Sequence, residues 1–403
     1  MRGDCTGCGS CVLSCPKDKI IIKEDNKGFR QISASKDVSC DNCEICKTAC
    51  PLERQVTTEQ HPIAFGCYAQ DYNELVKSSS GAIFPLISKY IIEKYNGVVF
   101  GACFNNEFSV EHKYSETVEK TDVFRCSKYV QSSMDNCFVE AKQFLLKDKH
   151  VLFTGTPCQL AGLKSYLGEL SDSDKLLCVD LICKGVPSPR IWQDYLNLYR
   201  SKYGTLVGVN FRHKNIKRIQ KRKPRRLDLK LEFSSKVIIN RADVDYYYKL
   251  FLGNYIDRES CYLCKFKGSM RYWSDLTLAD FLGVDKILPH FPKNLFTSLV
   301  LVNSKKGQEI FNDIKDTIIY EEITLVDALK YNPSSTVPAK KNVKHDKFWD
   351  YYFKYGFKKA RQIAMSKRTI VFYYFKSIVK KILSCIGLLN VARTIYKKQY
   401  SED

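Results

Sequence analysis

Residues 150–167 read HVLFTGTPCQLAGLKSYL. The apolar bias of Val151 to Thr154 predicts a buried strand, Gly155 and Pro157 a tight turn, and the remainder a helix from about Gln159. A strand that runs through a glycine-containing turn into a helix start is a building unit of α/β folds. Its amides and helix dipole also make Thr154, Gly155, Thr156, Pro157 and Gln159 a candidate anion cradle, although many such turns bind nothing. The flanking sequence repeats the layout. On one side, SSSGAIFPLISKYIIEKYNGVVFGACF (78–104) predicts a small-residue turn, an amphipathic helix to about Tyr95, a stop at Asn96–Gly97 and a strand at Val98 to Phe104. On the other, KLLCVDLICKGVPSPRIWQDYL (175–196) predicts a strand, a turn holding Cys183 and Gly185, and a helix that starts after the Pro187–Ser188–Pro189 bracket.

The second signal is cysteine. The chain has 403 residues and 18 cysteines, eight of them in two matched runs, CTGCGSCVLSCP (5–16) and CDNCEICKTACP (40–51). The spacing C-x2-C-x2-C-x3-C-P lets three thiolates of one run meet a cluster while the fourth reaches the other cluster. Cys5, Cys8, Cys11 and Cys50 would hold one [4Fe-4S] cube, and Cys40, Cys43, Cys46 and Cys15 the second. Gly7 and Gly9 suit the close backbone approach that inorganic sulfide demands. A pair of zinc knuckles is the alternative, but zinc sites rarely end twice in x3-C-P. Further along, Cys261 and Cys264 form one C-x2-C pair, half of a metal site. Cys158 and Cys183 sit at predicted strand-end turns, so these four could build a third [4Fe-4S] cluster; a reducible or merely buried pair is the other reading. Cys67, Cys103, Cys126, Cys137, Cys178 and Cys385 have no ligand spacing and read mostly as small core residues. With no apolar leader ahead of the first run, the thiols are expected in a reducing compartment and the protein in the cytoplasm.

Charge is concentrated rather than spread. The net charge is +20; residues 212–226, RHKNIKRIQKRKPRR, carry nine Lys/Arg and no acid, and residues 340–403 carry sixteen Lys/Arg against four acids. A basic arm and tail on a near-neutral body predict attraction to acidic partners. The tail segment beyond residue 367 has an apolar stripe with lysines beside it, which reads either as a helix packed on the body or as an interfacial helix making peripheral membrane contact at the inner face; it is too lysine-rich to span a bilayer. No nucleic-acid-reading module accompanies the basic arm, so nucleic acid ranks low as a partner. The six histidines follow no hydrolase or H-E-x-x-H spacing.

SSSGA, SKYVQS, LFTGTPCQLAGLK, VDLICKGVPSP, FRHK, CYLCKFK and SDLTLADFLGV occur in the order seen in the coenzyme F420 hydrogenase/dehydrogenase beta-subunit family, which the chain resembles from residue 1 to about 310 together with a bacterial two-cluster ferredoxin domain. The resemblance implies an α+β ferredoxin-like cluster domain (1–60) and an α/β flavin-binding domain (61–335); residues 336–403 read, from their own composition, as a basic helical C-terminal tail. It implies FAD, held by Ser79, Ser80, Gly81, Ser127, Lys128, the Thr154–Gln159 turn and Asp280. Lys128 would stabilise negative charge on the reduced ring; a solvated lysine is the alternative. Asp280 would hold a ribose or a lysine, or cap a turn. Where Lys184, Leu282 and Ala82 stand the family commonly has His, Trp and Gly, and the segment after Arg212 also departs, so deazaflavin coenzyme F420 itself does not carry over. The expectation is an iron-sulfur flavoprotein oxidoreductase that passes single electrons from its clusters to FAD and then two electrons to an organic substrate, fed by a soluble ferredoxin or a redox partner subunit. A non-catalytic electron-transfer subunit of a hydrogenase or dehydrogenase, or a reductase tied to surface polysaccharide synthesis, is the alternative.

Overall fold

The structure is a computed structural model describing residues 3–34, 43–54, 61–214, 228–268, 273–292 and 296–366, with a few positions beyond. Cys40, most of the basic arm, Cys385 and part of the apolar tail stripe lie outside the described residues. The chain forms two compact units, Met1–Ile239 with Ile256–Lys341, and Asn240–Tyr255 with Asn342–Asp403.

The first unit is built on an eight-stranded sheet. Its strands are β3 (Ile63–Ala69), β4 (Val98–Phe104), β5 (Val110–Ser115), β6 (Val151–Gly155), β7 (Leu176–Leu181), β11 (Leu276–Asp280), β12 (Ser298–Val302) and β13 (Ile318–Ile323), in the order β13-β3-β12-β11-β7-β6-β4-β5. The four central strands β11, β7, β6 and β4 are parallel; the flanking pairs are antiparallel. Parallel strands covered on both faces need apolar side chains on both, and the sequence supplies them by alternation. Val151, Phe153, Val98, Phe100, Leu176 and Cys178 share one core, Leu152, Val99, Leu177 and Val179 the other. The helix Ile83–Tyr95 ends where the sequence expectation stops it, and the strand Val98–Phe104 has the expected bounds. The helix after β6 spans Pro157–Leu167, two residues earlier than periodicity suggested, because Thr156 and Gln159 form a capping box and Pro157 fits the first turn.

Because β6, β7 and β11 are adjacent and parallel, with Gly155 level with Asp180 and Asp180 level with Thr277, their carboxyl ends bring three distant segments to one edge. Those segments start at Thr156, Ile182 and Phe281.

The amino-terminal module sits on this body within the same unit. Two short helices, Ser10–Leu13 and Ile45–Thr48, carry cysteines, and between the runs a hairpin pairs β1 (Ile20–Glu24) with β2 (Arg30–Ala34). Its turn is held by Ser188 and Arg190 at the start of helix Pro189–Tyr203: the Ser188 hydroxyl donates to Lys27 O and Arg190 Nη1 to Asn26 O at 2.6 Å. A smaller three-stranded sheet joins β8 (Leu206–Asn210), β9 (Asp228–Phe233) and β10 (Val237–Arg241).

The second unit is helical. Asp245 caps helix Tyr246–Leu252, and helix His345–Tyr355 buries Phe348, Trp349 and Tyr352. Asn342 Nδ2 donates to Gly253 O at 2.7 Å and Arg361 lies 4.3 Å from the Tyr246 ring. Among the described residues no helix is long and apolar enough to cross a membrane.

Candidate metal and cofactor centres

All seven described cysteines of the two amino-terminal runs are free and half-buried. Cys5, Cys8, Cys11 and Cys50 lie close enough to act on one another. Burial pushes Cys8 up to about 11, helped by Cys5 and Cys50. Burial pushes Cys11 up to about 12, with Cys8, Cys5, Cys50 and Cys46 adding to it. A proton is thus hard to remove from these sulfurs unless a positive centre replaces it. Cys15 goes the other way: the Lys19 and Lys17 amides lower it, the former at 3.4 Å from Sγ. Gly7 has φ +69°, and a Cβ there would lie 2.5 Å from Arg30 O. Only glycine fits that turn.

Cys158, Cys183, Cys261 and Cys264 come together at the carboxyl edge of the sheet. Burial raises Cys158 to about 12, and Cys183, Cys264 and Cys8 raise it further. Cys183 is raised by burial and Cys264; Cys261 by burial, Cys183 and neighbouring Asp257. The Gly185 and Val186 amides point at Cys183 and Cys261, the amide–sulfur contacts that cluster ligands use. Among the described residues no group of three or more Cys, His, Asp or Glu is placed to hold a single metal ion.

Cys8 links the two sets. Its Sγ and Cβ press on helix Pro157–Leu167 where a Cβ on Gly162 would lie 2.9 Å and 2.7 Å from them, one turn after Cys158. Arg258, three residues before Cys261 and 2% exposed, donates from Nε to Cys5 O (3.0 Å), from Nη1 to Arg30 O (2.8 Å) and from Nη2 to Gln31 Oε1 (2.9 Å). Lys265 pairs with Asp4 at 3.0 Å and Glu259 with Lys27 at 3.0 Å. The Cys261–Cys264 segment is therefore tied both to the Cys5 loop and to the β1–β2 hairpin.

The residues expected at a flavin divide. Ser127 N donates to Ser79 Oγ at 3.0 Å, so those two loops meet. Ser80 Oγ donates to Thr297 O, and Gly81 N to Ser298 Oγ; a Cβ on Gly81 would strike Cys67 O at 2.5 Å. Lys128 Nζ donates to Arg125 O (2.8 Å) and Cys126 O (3.2 Å), and enclosure of its ammonium lowers it to about 8. It is not a solvated lysine. Thr156 and Gln159 are engaged with each other: the Thr156 amide and hydroxyl both donate to Gln159 Oε1, and the hydroxyl lies 3.2 Å from Cys158 Sγ. The cradle's side chains thus cap their own helix and face a thiol. Thr154 Oγ1 donates to Phe100 O. Asp280 meets an arginine, Arg212 Nη1 at 2.6 Å.

Sequence reasoning missed Arg212 and Lys214 as site residues, and His112, a buried imidazole between Ser132 Oγ and Thr154 O that burial holds down at about 4. The FRHK motif was the available signal for the first two. A cavity of about 360 Å³ opens beside Lys128, lined by Lys77, Phe104, Arg125, Cys126 and Asn210.

Residues 4–54 match the 4Fe-4S dicluster domain, and residues 148–327 match the family described as the C terminus of the coenzyme F420 hydrogenase/dehydrogenase beta subunit. No curated protein matches the chain. Among solved structures, a chain of the F420-reducing [NiFe] hydrogenase complex from Methanosarcina barkeri is similar at 14% identity with a TM-score of 0.45, over 69% of this chain and 93% of that one.

Proposed function

This chain joins a 4Fe-4S dicluster domain to a domain of the family named for the C terminus of the coenzyme F420 hydrogenase/dehydrogenase beta subunit, and we propose that it is an iron-sulfur flavoprotein oxidoreductase with three [4Fe-4S] centres, FAD and an organic two-electron substrate. The observation that carries the reading is the junction at Cys8, whose thiol is seated on the helix that presents Cys158. Two ferredoxin-type centres with nothing beside them would be a simple electron carrier. A further four-thiol group clamped against one of them is a continuation.

When bound, the cubes supply one-electron steps and a flavin converts between one and two electrons. The chain's own residues do the rest. Cys8 brings the set of Cys5, Cys8, Cys11 and Cys50 next to Cys158, which leaves the centre of the second run to take electrons from a ferredoxin or partner subunit. Gly162 permits the close seating of Cys8, and Arg258 fixes the Cys5 carbonyl against the Cys261 segment. Amides at Lys19, Gly185 and Val186 favour the thiolate form of their sulfurs. Ser79, Ser127 and Lys128 converge beside a cavity of a size suited to an organic ligand. The ammonium of Lys128, anchored on two carbonyls, is positioned to offset negative charge there.

Anaerobic stopped-flow mixing of the flavin-loaded chain with reduced ferredoxin or reduced viologen tests this. Bleaching of the flavin near 450 nm (about that wavelength for any oxidised flavin), slowed in Cys8→Ser, is expected. A chain that retains no flavin, or bleaches equally fast in Cys8→Ser, contradicts it.

A further inference from the structure

The parallel edge holds a second unusual feature, a concentration of buried positive charge. Arg212 follows β8 and is 6% exposed. Its Nη1 donates to Asp280 Oδ2 at 2.6 Å and to the Tyr129 hydroxyl at 3.3 Å. Burial works against its charge, and Tyr129 and Asp280 more than offset that. Yet Nε and Nη2 have no partner among the described residues. Two residues on, Lys214 is 7% exposed; its Nζ donates to Leu75 O and Ser80 O and lies 4.3 Å from the Phe296 ring centroid. No carboxylate pairs with it among the described residues. Arg125 nearby is matched by Glu74 (2.7 Å) and Asp122 (2.6 Å), whereas Arg212 and Lys214 both feel the carboxylate of Asp280.

Buried donors of a charged group left unpaired are rare in folded proteins and point to a missing partner. Nε and Nη2 form one edge of the guanidinium, the edge that takes two oxygens of a carboxylate or phosphoryl group at once. Arg212 N also donates to Asn210 Oδ1 at 2.8 Å, and Asn210, two residues before Arg212, lines the cavity beside Lys128.

We infer that Arg212 and Lys214 form the binding site for an oxyanion on an organic ligand, a carboxylate or a phosphoryl group held two-pronged by Arg212. The inference rests on the flavin–substrate reading only for the site's place in catalysis, not for its existence. The oxyanion has two sources, the diphosphate of the flavin or an acidic group on the substrate.

Calorimetric titration of the purified, anaerobic full chain, after flavin removal, with pyrophosphate, succinate, FAD and riboflavin tests it. Arg212→Lys keeps the charge and its reach to Asp280 but loses the two-pronged edge. A loss of about tenfold or more in affinity for pyrophosphate or succinate, with riboflavin unchanged, is expected. Loss confined to pyrophosphate and FAD assigns the flavin's phosphates; loss confined to succinate assigns the substrate. Failure of both oxyanions to bind the wild-type chain, or equal affinities in Arg212→Lys, overturns the site. If Arg212→Lys does not fold, Lys214→Met decides by the same criteria. Iron and flavin content of the wild-type chain judge the electron-transfer reading separately, so the two can fail independently.

Discussion

Gly162 is a helix-interior glycine, and the substitution Gly162→Ala separates two opposing effects. In an ordinary helix the change stabilises by about 0.8–1.0 kcal/mol, because alanine loses less conformational freedom on folding. Here the new methyl would sit 2.7 Å from Cys8 Cβ, 2.9 Å from Cys8 Sγ and 3.4 Å from Phe138 Cε2. Contacts between carbons below 3 Å must be relieved, and overpacking of that kind costs about 1–3 kcal/mol. Cys8 is the neighbour able to move, since its loop is short and Phe138 is fully buried. The net expectation is a loss of about 0–2 kcal/mol rather than a gain. That loss should come with altered electronic structure of the centre that Cys8 ligates and not of the centre of the second run. The assay is anaerobic chemical denaturation followed by circular dichroism, paired with electron paramagnetic resonance of the dithionite-reduced protein. A variant that is stabilised by about 1 kcal/mol, with wild-type resonance signals, would refute the close seating of Cys8 on this helix.

Other expectations follow from the same geometry. Cys261→Ser should lower the iron content from about twelve to about eight per chain, with the ferredoxin-type signals intact, as read by colorimetric iron assay and resonance spectroscopy. Arg258→Met leaves Cys5 O, Arg30 O and Gln31 Oε1 without their donor; a loss of about 3 kcal/mol in denaturant titration is expected, together with faster iron release to a chelator. Phe153, fully buried and stacked 5.0 Å from Phe100, should cost about 3–5 kcal/mol when replaced by alanine. Lys214 is held down at about 7 by burial and by Arg212. Its unfolded form binds a proton more tightly, so between about pH 7 and 10 the flavin-free wild-type chain should gain stability relative to Lys214→Met. Denaturation midpoints of the pair across that range check the sign.

Much of this could be read from the sequence, and the reasons differ by element. The two cysteine runs declare their partners because ligand spacing is local, and Cys50 joins Cys5, Cys8 and Cys11 as the interleaved pattern requires. The parallel strands were legible at Val98 and Val151 because continuous apolar runs ended in turn residues. Cys158 and Cys183 are neighbours because adjacent parallel strands end at one edge, while Cys261 and Cys264, which follow no strand of that set, stood out by their C-x2-C spacing alone. What could not be read depended on pairs distant in sequence. Arg212 looked like the first residue of a basic run, and nothing near it signals Asp280 as its partner or Tyr129 as its neighbour. Gly162 is an ordinary glycine until Cys8 is placed against it. At Thr156–Gln159 a capping box takes up the Thr156 amide, one of the donors that an anion cradle would offer.

Thiols that hold cubes in a continuous series are the foundation of the proposed electron path, and anaerobic determination of iron, acid-labile sulfide and zinc in the full chain tests them most directly. About twelve irons with matching sulfide and no zinc are predicted. About eight irons would remove the centre at Cys158, Cys183, Cys261 and Cys264, and zinc in place of iron would contradict the whole of it.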